Sequence, residues 1–169
     1  MMRPVAHAFA FALAALVMGG NGGAWAKGWT NGSQTDAASG VETFTASVAD
    51  EAGAQLVIAC RNGTSTLMAQ VPDELPIASG SAVEALVSGL GEDGAVTVPA
   101  VTIDRGAARL VAATSPAALP RVVARLRKVK SGNVTLALRS GETPLIVRSF
   151  PADGLAESLD TLAARCPAG

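Results

Sequence analysis

The stretch Leu56–Val71, LVIACRNGTSTLMAQV, predicts a β-hairpin and contains one of the two cysteines of this 169-residue chain. Leu56, Ile58 and Cys60 alternate along its first half, so they share one face of an extended strand. Asn62-Gly63 follows, and both residues tolerate the positive φ angles of a type I′ turn. The stretch therefore predicts two paired strands, with Cys60 on the face that packs against the core.

Residues 1–26 predict a secretory signal peptide, because an arginine near the terminus is followed by an apolar run and then by small residues up to Ala26. The apolar run is shorter than the roughly 20 residues of a membrane-spanning helix. Cleavage after Ala26 is therefore favoured over a membrane anchor. We expect a periplasmic or secreted protein, with a flexible N-terminal segment over 27–40 and a single domain over 41–169.

The second cysteine ends a predicted helix. Apolar residues recur at helical spacing from near Asp153, whose carboxylate can cap the helix, to Cys166, which Pro167 follows. Two cysteines in an oxidising compartment usually form a disulfide. A redox pair normally has the Cys-x-x-Cys spacing, which is absent here. We therefore predict a structural disulfide between Cys60 and Cys166.

Periodicity predicts the remaining elements. Further strands are predicted at 41–49, 81–90, 95–103, 108–113, 133–139 and 144–150, and a first helix begins at Pro120. Pro99 has no amide hydrogen, which predicts an edge position or a bulge for its part of the strand. Strands outnumber helices, and a hairpin separates the two helices. The predicted fold is α+β, a largely antiparallel sheet with two helices tied by one disulfide.

Charge is segregated along the chain. Ten acidic residues and one basic residue lie between Asn31 and Asp104, whereas nine basic residues and one acidic residue lie between Arg105 and Arg148. The first helix places Arg121, Arg125 and Lys128 on one face. Either the acidic half or solvent neutralises these charges, or they bind an acidic protein, an anionic envelope polymer or a lipid surface. Nucleic acid is not expected, because the chain has few aromatic residues on which bases could stack.

Several catalytic classes are excluded for the mature chain, because the only histidine, His7, lies in the predicted leader. Catalytic triads with histidine and histidine-based zinc sites are therefore absent, and we predict no cofactor and no metal. The acidic pairs Asp50-Glu51, Asp73-Glu74 and Glu92-Asp93 could supply carboxylates for acid–base chemistry or a calcium site. Each pair lies in a predicted loop beside glycine or proline, which favours solvated turns.

Two blocks, LVIACRNGTSTL and PLIVRSFPADGLAESLDTLAARC, resemble small exported bacterial proteins of the type VI secretion-associated VasI group. In this pattern a strand ends in cysteine before a hairpin, and a strand with phenylalanine leads through Gly-Leu into a helix before a last cysteine. The matching positions are Leu56, Ile58, Cys60, Asn62, Thr64, Phe150, Gly154, Leu155, Leu162 and Cys166. The resemblance implies a disulfide-tied periplasmic domain associated with a secretion machine, and it implies no catalytic residue.

The sequence therefore predicts a non-catalytic periplasmic or secreted interaction module. Arg121, Arg125 and Lys128 are its predicted contacts with an envelope or secretion-associated partner. One alternative is a small inhibitor of an envelope-attacking hydrolase, which would present a loop to the cleft of that enzyme. Another is a histidine-free enzyme built on carboxylates, which requires a deep pocket that holds two acidic residues with shifted pKa values.

Overall fold

The computed structural model describes residues 28–72, 75–89, 94–105 and 108–166. The predicted signal peptide lies outside these ranges. Nine described strands form one antiparallel sheet in the spatial order β1-β2-β3-β4-β7-β6-β5-β8-β9. The strands are β1 (Thr30–Thr35), β2 (Glu42–Ala49), β3 (Gln55–Arg61), β4 (Thr64–Val71), β5 (Ala82–Ser88), β6 (Val96–Arg105), β7 (Ala108–Ala113), β8 (Asn133–Ser140) and β9 (Thr143–Pro151).

Two described helices pack against this sheet. They are α1 (Leu119–Leu126), which follows a 3₁₀ turn at Pro116–Ala118, and α2 (Leu155–Arg165). Helix α1 contacts β4 and β6, whereas α2 contacts β1 and β2. The α+β class, the largely antiparallel sheet and the two helices are thus confirmed.

The β3–β4 hairpin forms as the sequence predicts. Asn62 and Gly63 have φ angles of 50° and 74°, the left-handed values that a two-residue turn requires. Arg61 pairs with Thr64 on either side of this turn. Leu56, Ile58 and Cys60 are fully buried, so the alternation in the sequence correctly identified the inner face of β3.

The core lies between the inner face of the sheet and the two helices. Strand residues at alternate positions supply one side of the core, as in Val83, Ala85 and Val87 of β5. The helices supply the other side with Leu119, Val122 and Leu126 from α1 and Leu155, Leu159 and Leu162 from α2. The spacing of three and four residues in both helices gives each one a single apolar stripe.

Strands β1 and β9, at the two edges of the sheet, approach each other at one corner. The Trp29 amide donates to the carbonyl oxygen of Asp153 at 2.8 Å, and its indole Nε1 donates to the carbonyl oxygen of Pro151 at 3.0 Å. Nearby, Arg148 Nε of β9 lies 3.8 Å from Oδ2 of Asp50, which follows β2. These contacts curl the sheet and attach the chain before β1 to the chain after β9.

The structure differs from the expected flexible segment at 27–40, because Thr30–Thr35 form strand β1. Each residue of β1 is exposed, so no hydrophobic alternation marks the strand in the sequence. Main-chain pairing with β2 holds it in place. The side-chain amide of Asn31 also donates to the carbonyl oxygen of Ser158 in α2 at 2.9 Å.

Pro99 lies in β6, which pairs with β5 on one side and β7 on the other, so the prediction of an edge strand was wrong for β6 as a whole. Strand β7 pairs only from Ala100 onward and leaves the start of β6 open on that side. Its carbonyl oxygen accepts the amide hydrogen of Thr114 at 2.9 Å, which places its main chain on the β7 side. The N–H and C=O groups of one residue in an antiparallel strand point to the same neighbour. Strand β7 ends at Ala113. The missing N–H of Pro99 therefore removes only one hydrogen bond, which would lie beyond the end of the β6–β7 ladder.

The start of α2 also differs from the expectation. Its N-cap is Gly154, with φ of 75° and no side-chain cap, and not Asp153. A Cβ atom at position 154 would lie 3.3 Å from the carbonyl oxygen of Trp29. The docking of Trp29 therefore favours glycine at this position, and the main chain of Asp153 holds the Trp29 amide.

Candidate functional site

The predicted disulfide between Cys60 and Cys166 is present. The two Cα atoms lie 6.1 Å apart, within the usual range for a disulfide. Cys60 is fully buried in β3, and Cys166 follows the last residue of α2. The bond therefore fastens the end of α2 to the middle of the sheet, which is a structural role.

Ion pairs connect the acidic and basic halves of the chain. Arg109 pairs with Asp104 at 2.5 Å, and Arg139 pairs with Glu84 at 2.5 Å. Arg148 pairs with Asp50 across the corner of the sheet. Part of the segregated charge is thus balanced within the fold, although these arginines are not the three singled out on α1.

Two of the three predicted binding residues lie in one groove. Arg121 and Arg125 line a groove of about 430 Å³ between α1 and the start of β6. Its other lining residues are Ala95, Val96, Thr97, Ala118 and Ala124. Lys128 lies two residues beyond the end of α1 and is not part of the lining. The structure therefore brings Arg121 and Arg125 together in the groove. Lys128 is not in the lining, although its amide donates to the carbonyl oxygen of Arg125 at 2.9 Å.

The arginines of α1 have different environments. Arg121 is exposed, whereas Arg125 is partly buried and its Nη1 donates to the carbonyl oxygen of Gly94 at 3.3 Å. Arg127, which the sequence analysis did not single out, lies 3.4 Å from Asp160 of α2. Arg127 thus joins the two helices, while Arg121 and Arg125 face the groove.

The opposite wall of the groove is a stretch of main chain that periodicity could not reveal. The last hydrogen bond between the β6 and β7 segments joins the amide of Thr114 to the carbonyl oxygen of Pro99. Thr97, two residues before Pro99, is exposed, and its N–H and C=O point to the same side as those of Pro99. No described strand pairs with β6 on that side of Thr97. Hydrophobic alternation in β6 does not show where its neighbour β7 ends, because that end depends on tertiary structure.

The candidate acidic pairs do not form a described catalytic site. Asp50 Oδ1 accepts the amide hydrogens of Ala52 and Ala54 at 2.9 and 2.8 Å, so this carboxylate organises the turn after β2. The pairs Asp73-Glu74 and Glu92-Asp93 lie outside the described residues. In the described ranges, no group of three or more potential metal ligands is found.

A second cavity lies inside the sheet and differs from the groove. It has a volume of about 10 Å³, and apolar residues of six strands line it, including Leu56, Leu67, Leu136 and Leu138. A space of this size holds at most about one water molecule, and an apolar lining gives water no hydrogen-bond partner. The cavity is a packing gap, and the groove is the better candidate for binding.

Asp36 organises the turn between β1 and β2. Its Oδ1 accepts hydrogen bonds from the hydroxyl and the amide of Ser39, both at 2.7 Å, and from the amide of Ala38 at 3.2 Å. The hydroxyl of Ser39, followed by the Ser39 amide, lowers the pKa of Asp36 below 3.8 because these bonds favour the charged carboxylate.

We predict that the Asp36 carboxyl titrates below pH 3.8 in an NMR titration and that Ser39→Ala raises its midpoint. A lowered folded-state pKa means that the contribution of Asp36 to stability is present above the unfolded value and is lost as pH falls through the folded value. The matched control is Ser33→Ala, which changes an exposed serine on β1. An Asp36 midpoint unchanged by Ser39→Ala would contradict the assignment.

Comparisons of the chain with protein families, curated proteins and solved structures found no match. Neither of the two described helices has the length and hydropathy needed to cross a bilayer. The disulfide is typical of proteins that fold in an oxidising compartment. The groove and its charge are therefore the features of the described structure that bear on function.

Proposed function

We propose that this protein is a non-catalytic interaction module of the periplasm or the extracellular space, and that it binds an acidic partner in the groove between α1 and β6. The observation that carries the proposal is the position of Arg121 and Arg125 on one groove of about 430 Å³. This volume lies within the range of about 300 to 1,000 Å³ typical of ligand sites. Short side chains on the other lining positions leave room for a partner.

The chemistry of the two arginines favours carboxylates. A guanidinium group offers a planar set of donors that matches a carboxylate with two parallel hydrogen bonds. The segment between Arg105 and Arg148 carries nine basic residues and one acidic residue. Four of these arginines pair with acidic residues within the fold, and the remaining positive charge favours the approach of an acidic partner. An acidic protein segment is the partner that this surface fits best.

Three further points support this proposal. The predicted signal peptide and the disulfide favour export. The resemblance to the VasI group favours a partner in the envelope or in a secretion machine. Asp50 and Glu51, the candidate acidic pair among the described residues, line neither of the two described cavities, so we prefer a binding role to a carboxylate enzyme.

We predict that the double variant Arg121→Glu/Arg125→Glu binds polyglutamate at least about tenfold more weakly than the unchanged protein. Reversal replaces attraction in the groove by repulsion, and a tenfold change corresponds to about 1.4 kcal/mol. Dissociation constants measured by isothermal titration calorimetry would test this result, and cross-linking in an envelope extract would then identify the natural partner. The melting temperature of the variant, measured beside that of the unchanged protein, shows whether the fold is preserved.

The matched control is Lys130→Glu/Arg165→Glu, which makes the same change in net charge at two exposed positions outside the groove lining. This control should keep most of the affinity for polyglutamate. Equal loss of binding in the two double variants would show that overall charge, and not the groove, binds the partner. Unchanged binding by the groove variant would refute the proposed function.

A further inference from the structure

The wall of the groove opposite α1 offers hydrogen-bonding main chain. Strand β7 covers one side of β6 only from Ala100 onward, where Ala100 pairs with Ala113. Residues at every second position of an antiparallel strand direct their main-chain groups to the same side. The N–H and C=O of Thr97 therefore face the place that β7 has left, and Thr97 is exposed.

The lining of the groove spans about two turns of the chain at α1. Its lining includes Ala118, Arg121, Ala124 and Arg125 from the α1 side and Ala95, Val96 and Thr97 from the β6 side. Positions 118 and 125 lie about 10 Å apart along a helix axis at 1.5 Å per residue. A segment of three or four residues in extended conformation has this length. The groove thus has the length of a short strand and a strand edge along one wall.

The spacing of the two arginines matches alternate residues of an extended segment. Four residues along a helix rise about 6 Å, which separates Arg121 from Arg125 along the axis. Two residues along a strand rise about 6.6 Å, and side chains two apart lie on the same face. Acidic residues at alternate positions of a strand in the groove would therefore meet both arginines, one opposite each.

We infer that the acidic partner binds as an extended segment that adds to β6 as a strand, in the place that β7 leaves open, with alternate acidic side chains toward Arg121 and Arg125. The inference depends on the proposed function and specifies the form in which the partner binds. In recognition by strand addition, main-chain hydrogen bonds supply affinity and contacts of alternate side chains supply specificity. Here the main chain of Thr97 supplies the hydrogen bonds, and Arg121 and Arg125 supply the contacts with alternate side chains.

The test uses the unchanged protein with three synthetic peptides. The parent is acetyl-Glu-Thr-Glu-Thr-Glu-Thr-amide. Two analogues, which are isomers of each other, carry N-methyl groups either on all glutamates or on all threonines. The three peptides have the same charge and the same side chains, but each isomer lacks alternate main-chain donors. Thr97 offers one carbonyl oxygen to a peptide amide, so N-methylation at the matching positions removes one hydrogen bond. A bond of about 0.5 to 1.5 kcal/mol corresponds to about two- to tenfold in affinity.

We expect the N-methylated isomer that loses the hydrogen bond to Thr97 to bind about two- to tenfold more weakly than the parent. In the complex with the parent, the amide of Thr97 should become protected from hydrogen exchange, while the amide of the exposed turn residue Gly141 serves as the control. If both isomers bind as tightly as the parent, or if Thr97 exchanges at an unchanged rate, strand addition is wrong.

The outcomes also separate this inference from the proposed function. Equal binding of all three peptides that is still lost in Arg121→Glu/Arg125→Glu would overturn strand addition and leave the acidic groove partner in place. Equal binding that survives the double variant would overturn both. Displacement of the parent peptide by phosphatidylglycerol vesicles, with no protection of Thr97, would identify a lipid surface as the occupant and overturn strand addition.

Discussion

Replacement of both Cys60 and Cys166 by alanine should lower the free energy of unfolding by about 4 to 5 kcal/mol. The bond joins residues 106 positions apart, and a cross-link that closes a loop of roughly 100 residues removes about 4.7 kcal/mol of conformational entropy from the unfolded chain. Domains of this size are stable by about 5 to 15 kcal/mol. Urea denaturation followed by circular dichroism would measure the difference.

Reduction of the unchanged protein is the companion measurement, because it breaks the bond without removing either sulfur from the core. Dithiothreitol should lower the urea midpoint of the unchanged protein toward that of the double variant and leave the double variant unaffected. An unchanged midpoint in the reduced protein, with both thiols shown to be free by alkylation, would mean that the bond does not stabilise the fold.

The second large effect is expected for Gly89→Ala, which should lower the free energy of unfolding by about 2 to 5 kcal/mol. A Cβ atom at this position would clash with the carbonyl oxygen of Asn133, and Gly89 has φ of 91°. The clash is with main chain and costs about 1 to 3 kcal/mol through a backbone shift, and the positive φ adds about 1 to 2 kcal/mol. Urea denaturation would give the value.

Gly80→Ala is the matched control for this variant. Gly80 has φ of 85°, close to that of Gly89, but a Cβ atom there would meet no atom within 4 Å. Its substitution carries the conformational cost alone, about 1 to 2 kcal/mol. The difference between the two variants measures the contact between the end of β5 and the start of β8. Equal losses would show that no such contact constrains position 89.

The parts of the fold predicted best from the sequence were those fixed by local chemistry. Asn62-Gly63 specifies a tight turn, and alternation around Cys60 specifies the buried face, so the β3–β4 hairpin and the inward cysteine followed from one short stretch. The partner of Cys60 followed from the even number of cysteines and the expected compartment. No tertiary information was needed for either conclusion.

The parts missed depend on distant contacts. Strand β1 has exposed polar residues, and only its pairing with β2 and the docking of Trp29 make it a strand. Pro99 was assigned to an edge because the sequence does not reveal where β7 ends. Asp153 was wrongly assigned as the cap of α2. Its carbonyl group instead contacts Trp29, more than 100 positions away in sequence, and local sequence carries no signal of that contact.

The candidate site was predictable only in part. Helical spacing placed Arg121 and Arg125 together, and they share the groove. Lys128 was included because the same spacing was continued beyond Leu126, where α1 ends. Thr97 has no sequence signal at all, because its role depends on a neighbouring strand that stops short.

The corner contact between Trp29 and Asp153 also has a consequence for how the chain folds. It joins residues 124 positions apart, and the disulfide spans a similarly long loop. Native contacts between such distant residues form slowly, since the entropy of loop closure is lost before the contacts stabilise the chain. Since the chain is synthesised from its N-terminus, Asp153 and Cys166, the partners of Trp29 and Cys60, are made late. The protein therefore completes its fold only after nearly the whole described chain has been synthesised.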